Sequence, residues 1–142
     1  DFMSNNPCEA ILGVTRRMIE GEILVAEGKV DNGLAALRAA VIAEDALKYD
    51  EPPGWLIPVR HSLGAVLMRT GKFAEADQVY REDLARIPDN GWSLFGLAES
   101  LRAQGKDKEE VTTANAKFAK IWAKADLKIN SSCLCQPRKE SD

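Results

Sequence analysis

Three cysteines and a single histidine are the residues of this chain best suited to bond-making chemistry. Cys133 and Cys135 form a Cys-x-Cys, and with Cys8 and His61 they reach the ligand count of a Cys3His zinc site. The spacing is not that of structural zinc, and pinning a flexible tail costs chain entropy. A redox-active or soft-metal Cys-x-Cys is the alternative chemistry; two unpaired thiols in a mobile end is the plainer reading. His61 stands in Arg60-His61-Ser62. Proton transfer there requires a base turned toward a nucleophile and held by a third group. The sequence offers no such set, so His61 reads as a partly exposed groove or helix-face histidine. No catalytic residue and no cofactor is expected, and the chain reads as non-enzymatic. Asp50 and Glu51 precede Pro52-Pro53. A metal or basic partner could use them, but a rigid turn with Trp55 buried against the next helix pair accounts for them.

Composition narrows the classes further. Hydrophobic residues make up 45% and charged residues 29% of 142, which suits one globular domain. Aromatics are only 6%, so small side chains must do much of the packing. The net charge is −3 with a sequence pI near 5.3, and acids interleave the basic clusters Arg16-Arg17 and Lys117, Lys120, Lys124. Nucleic acid is therefore not an expected partner. No apolar run approaches the roughly 20 residues that span a bilayer, so no membrane partner is expected. The opening DFMSNNPCEA has neither a basic start nor an apolar core, which reads as no signal peptide. An initial Asp suggests a fragment of a longer chain. Three cysteines are an odd number outside any disulfide-framework spacing, which suggests a reducing cytoplasm.

The elements that must position these residues are helical throughout. Six helical segments emerge, in three antiparallel pairs. Asn6 is placed to cap the first, Pro7 suits its first position, Glu9 completes a capping box, and Gly28 stops it. The second follows Asp31-Asn32 and ends before Asp50. The third covers roughly 56–70 and the fourth 73–86, with Pro88 as a stop. Asn90 caps the fifth, which ends at Gly105; the sixth runs from about Asp107 to Ala125. Residues 1–6 and 127–142 read as flexible ends around a repeat domain over 7–126.

That domain repeats itself. HSLGAVLMRTGKFAEADQVYREDLARIPDN and FGLAESLRAQGKDKEEVTTANAKFAKI align thirty-four residues apart, pairing Leu63 with Leu97, Gly64 with Ala98, Leu67 with Leu101 and Gly71 with Gly105. A fainter copy upstream carries Gly21, Leu24 and Gly28. Repeats fall at about 7–50, 55–88 and 90–126. Gly64, Ala76 and Ala98 are small where partner helices cross, and Tyr80 fills the gap between one pair and the next.

Leu63-Gly64, Leu67, Gly71, Ala76, Tyr80 and Pro88 resemble the motif of the tetratricopeptide repeat (TPR) family. The third copy matches at Leu97-Ala98, Leu101 and Gly105 and departs at Glu110 and Ala114; the first departs at Glu20 and Gly33. EDALKYDEPPGW and NGWSLFGLAESLRAQGK are similar to the C-terminal repeat region of large bacterial-type TPR proteins of unassigned activity, including a tail with closely spaced cysteines. The resemblance implies an all-α fold, a TPR-like α-α superhelix of three helix pairs with a concave face. It places Met18, Glu22, Val25, His61, Ala65, Met68, Arg69, Phe95, Glu99 and Arg102 on that face. The positions that clamp a peptide carboxylate in chaperone-binding members hold Met18, Glu22, His61, Ala65, Phe95 and Glu99, and the two acids disfavour that ligand. The expected function is a protein-interaction scaffold holding a peptide or helix of a partner, with self-association through solenoid ends as a further contact. Ordinary interhelix packing is the competing account of each apolar member.

Overall fold

A computed structural model describes residues 1–135. The chain divides into two compact units, the first spanning Asp1–Val59 and the second beginning at Arg60. Six helices dominate: α1 (Cys8–Ala26), α2 (Val30–Asp45), α3 (Val59–Arg69), α4 (Phe73–Arg86), α5 (Gly91–Ala103) and α6 (Lys108–Trp122). A short antiparallel hairpin, β1 (Phe2–Met3) and β2 (Asn6–Pro7), precedes them.

In the first unit α1 packs on α2. The crossing is close because Gly21 and Gly33 face it. A Cβ at Gly33 would stand 2.8 Å from the Gly21 carbonyl oxygen and 2.5 Å from Val25 Cγ2, and a Cβ at Gly21 would stand 2.7 Å from Leu37 Cγ. Gly28 reverses the chain at φ +81, a conformation open to glycine at little cost. Val14, Ala40 and Val59 form a buried cluster, with Met18, Val41, Ala43, Leu47 and Trp55 packed on it. Glu44 Oε2 accepts from the Val59 N–H (3.0 Å) and so satisfies a first-turn donor of α3.

Residues 1–6, expected to be flexible, are pinned. The buried Asn6 side chain donates to Lys48 O (3.0 Å) and accepts from Lys48 N–H (2.7 Å). Asn6 therefore does not cap α1; Pro7 occupies the cap position and no side chain bonds there. Ser4 Oγ and the Asn5 N–H donate to the Asp50 carboxylate. These two bonds, Ser4 first, hold the Asp50 carboxyl below its ordinary range. The acid at the Pro-Pro connection is thus taken up by the hairpin.

In the second unit α4 packs on α5 and α5 on α6. The helix limits follow the sequence closely, with α4 at 73–86 as expected and α6 ending at Trp122, short of Ala125. The third helix, expected from about 56, begins at Val59, just after Pro58. Asn90 Oδ1 accepts from the Trp92 and Ser93 N–H groups, the expected cap of α5. Asp107 Oδ1 does the same for α6 through Glu109 N–H. Gly71 and Gly105 have φ of +76 and +67.

Tyr80 of α4 is fully buried between two glycines. A Cβ on Gly64 of α3 would come within 2.4 Å of its ring, and one on Gly96 of α5 within 2.3 Å. At the far end, Trp122 covers Gly91, meets Trp92 edge-on (5.4 Å) and stacks on Phe118 (5.5 Å). Its indole N–H donates to Leu127 O (2.7 Å). Among the described residues no helix is long and apolar enough to cross a membrane.

Candidate functional site

The chemistry-bearing residues of the second unit converge on the inner side of α3, α4 and α5. Asp83 lies on the stripe of α4 that buries Ala76, Val79 and Tyr80, and it is only 2% exposed. Its Oδ2 accepts from Ser93 Oγ (2.6 Å) and Asn90 Nδ2 (3.1 Å) and lies 3.2 Å from His61 Nε2. A buried carboxylate is tolerable only with such donors. Asn90 Oδ1 is committed to the α5 cap, so its amide nitrogen faces the site, 2.7 Å from His61 Nε2. In the Nδ1–H tautomer, Nε2 accepts from the Asn90 amide. With a hydrogen on Nε2, that N–H donates to Asp83 instead and the Asn90 amide must turn away.

Ser93, His61 and Asp83 are thus neighbours without forming a relay. A nucleophilic serine gives its proton to the histidine, and the carboxylate holds the opposite ring nitrogen. Here the Ser93 hydroxyl is turned to the carboxylate, while one ring nitrogen faces both Asp83 and Asn90. The arrangement locks α3, α4 and the start of α5 together.

The tail closes over this network. Ser132, 2% exposed, donates to His61 O (2.9 Å) and accepts from the Tyr80 hydroxyl (2.8 Å). Burial drives the Tyr80 phenol well above its ordinary range, and the Ser132 bond offsets a smaller part. Cys133 is also buried and is joined to Cys135 by a disulfide. The expectation of a mobile tail fails for this stretch because Ser132 supplies what Tyr80 and the His61 carbonyl lack. The expectation of two unpaired thiols fails with it. Residues 136–142, read as flexible, lie outside the described residues. Cys8 is a free cysteine in the first unit. Among the described residues no group of three or more His, Cys, Asp or Glu side chains is placed to hold a metal.

The residues assigned to a concave face divide between the units and between inside and outside. In the first unit Val25 is buried against Gly33, Met18 packs on the core cluster, and Glu22 is half-buried. In the second, Ala65 is buried and His61 is 6% exposed, so neither offers surface. The partly exposed histidine is corrected: Asp83 and Asn90 draw its ring inward. Met68, Arg69, Phe95, Glu99 and Arg102 retain exposure. Glu99 and Arg102 pair along α5, and Phe95 meets Phe118 edge-on (5.4 Å). Lys117, Lys120 and Lys124 are exposed, as a solvated face requires.

A recess crosses α4, α5 and α6. This groove of about 450 Å³ has Leu84, Leu97 and Leu101 among its apolar lining, and Arg81, Glu110 and Lys117 among its charged lining. Arg81 bridges Asp77 and Glu110, each at 2.5 Å. Sequence reasoning missed Asp83, Ser93 and Ser132. The first had a signal: an acid recurring at helical spacing within the apolar stripe Ala76, Val79, Tyr80. No family model, no curated protein and no solved structure matches the chain.

Proposed function

We propose that the chain is a non-enzymatic protein-interaction module of the TPR-like superhelical kind, holding a peptide or helix of a partner protein. The observation that carries this reading is Tyr80 clasped by Gly64, a small position of the repeat, and by Gly96, which sets α3 and α5 against one side chain. First helices of successive pairs so arranged turn their remaining residues to a common side. Met68 and Arg69 from α3 and Phe95, Glu99 and Arg102 from α5 supply that side with an adaptable apolar contact, an aromatic anchor and charges of both signs. The inward commitment of His61, Asp83 and Ser93 supports the non-enzymatic part.

The test is capture of a partner from native extract, then affinity for the captured partner. Phe95→Ala and Arg102→Glu are each expected to weaken binding about tenfold or more, while Ile42→Ser on α2 leaves it unchanged. Equal binding by all variants, or a measured turnover with no partner, overturns the reading. The exposed stripe Leu12, Ile19 and Ile23 of α1 supports the further contact, self-association through a solenoid end. Sedimentation across concentration tests it, and a strict monomer removes it. The cytoplasmic placement is the part that the Cys133–Cys135 bond weighs against, since such bonds are rare in reducing compartments.

A further inference from the structure

The geometry points to Cys133–Cys135 as a thiol–disulfide exchange site that takes a dithiol, small or protein-borne, as its reductant. This goes beyond partner binding and does not depend on it. The two sulfurs are unlike. Cys135 is exposed and Cys133 is buried. The Cys133 sulfur accepts the Cys135 N–H (3.0 Å), and the Ser62 hydroxyl lies 3.4 Å from it and 3.5 Å from the Cys135 sulfur. A disulfide sulfur carries no proton, so Ser62 is the donor in either contact. The segment is also anchored one residue before the pair, because Ser132 is held by the Tyr80 hydroxyl and the His61 carbonyl. Opening the bond therefore leaves Cys133 in place beside its two donors.

These features assign the direction of exchange. A reductant thiolate attacks the exposed Cys135 sulfur and forms a mixed disulfide. The Cys133–Cys135 bond breaks and its electron pair goes to Cys133, whose thiolate is met by the Ser62 hydroxyl and the Cys135 N–H. Donors on a leaving thiolate speed its departure. The second thiolate of the reductant then attacks its own sulfur in the mixed disulfide and releases Cys135. The chain gains two electrons and two protons, and the reductant becomes a disulfide. The reverse sequence reduces a partner disulfide to its dithiol and restores the Cys133–Cys135 bond. Ser62 is a positioning residue here, and Cys135 is the reacting one.

Reduction of the whole protein under native conditions, followed by alkylation in denaturant and read by mass, tests this. With three cysteines in the chain and Cys8 free, one alkylated thiol is expected before dithiothreitol and three after. Three before any reductant, or one zinc per chain with the thiols unlinked, overturns the proposal. Ser62→Ala should slow native reduction by dithiothreitol about tenfold, the loss of one hydrogen bond to a charged sulfur, with the far-ultraviolet spectrum unchanged. Reduction at the unaltered rate removes Ser62 from the mechanism. Ser62→Thr, which keeps the hydroxyl, should recover most of the rate; failure to do so assigns the effect to packing.

Discussion

In the first unit, Gly21 and Gly33 let α1 and α2 approach until one backbone meets the other. In the second, Gly64 and Gly96 leave a slot that the Tyr80 ring occupies. The same residue type at comparable sites thus serves two devices. A crossing closed by backbone and aliphatic side chains asks for no further partner. A crossing closed by a phenol buries a hydroxyl, and that hydroxyl must be bonded. Ser132 answers it and in doing so brings the tail into the core of the second unit. The choice of filling decides whether distant chain is recruited.

Several substitutions would break or sharpen that contrast. Gly64→Leu should have the largest effect, costing more than about 3 kcal/mol in urea unfolding, because overpacking of this kind has no relief. The Tyr80 ring cannot retreat from Gly64 without striking Gly96. A neutral shift would refute the clasp. Tyr80→Ala should cost about 3–5 kcal/mol, the range for emptying an aromatic site, and should also free Ser132. In the first unit, Gly33→Ala should cost more than Gly21→Ala, because its new methyl meets the Gly21 carbonyl at 2.8 Å and Val25 N at 3.0 Å, whereas the other meets the movable Leu37 side chain first and backbone, the Gly33 carbonyl, only at 3.1 Å. Equal costs would mean that backbone does not limit this crossing.

Smaller effects separate the units by pH. The Tyr80 phenol is raised by burial, so its contribution is fully present below about pH 10, the free phenol's value, and is lost as pH rises from there. Tyr80→Phe should flatten that alkaline slope and cost about 1 kcal/mol at neutral pH for the lost hydrogen bond. Asp50 is lowered by Ser4 and Asn5, so its contribution is present above about pH 4 and is lost as pH falls through the lowered value. Asp50→Asn should remove the acid sensitivity of the hairpin, read from amide exchange at Asn5. An acid slope that survives in the variant would place it elsewhere.

The helices were legible because their signals are local. Gly28, Gly71 and Gly105 mark reversals, Asn90 marks a cap, and Ala76 and Tyr80 keep helical spacing. The two ends were not legible, because their order comes from partners far along the chain. Asn6 reads as a cap from its neighbours and turns out to serve Lys48. Ser132 reads as a tail residue and serves Tyr80 and His61. Part of the assigned face, Val25, His61 and Ala65, is buried for a related reason. Carrying face positions over from a repeat motif assumes that side chains at equivalent positions point alike. His61 does not, because the buried Asp83 and Asn90 draw its ring inward.

Asn6 and Lys48 are forty-two positions apart and joined by two opposed hydrogen bonds. They make the stretch between them a closed loop with a clasp at its neck. The two ends of the α1–α2 pair are thus tied at a single side chain. Removing the Asn6 amide would strand the N–H and the carbonyl of Lys48 together.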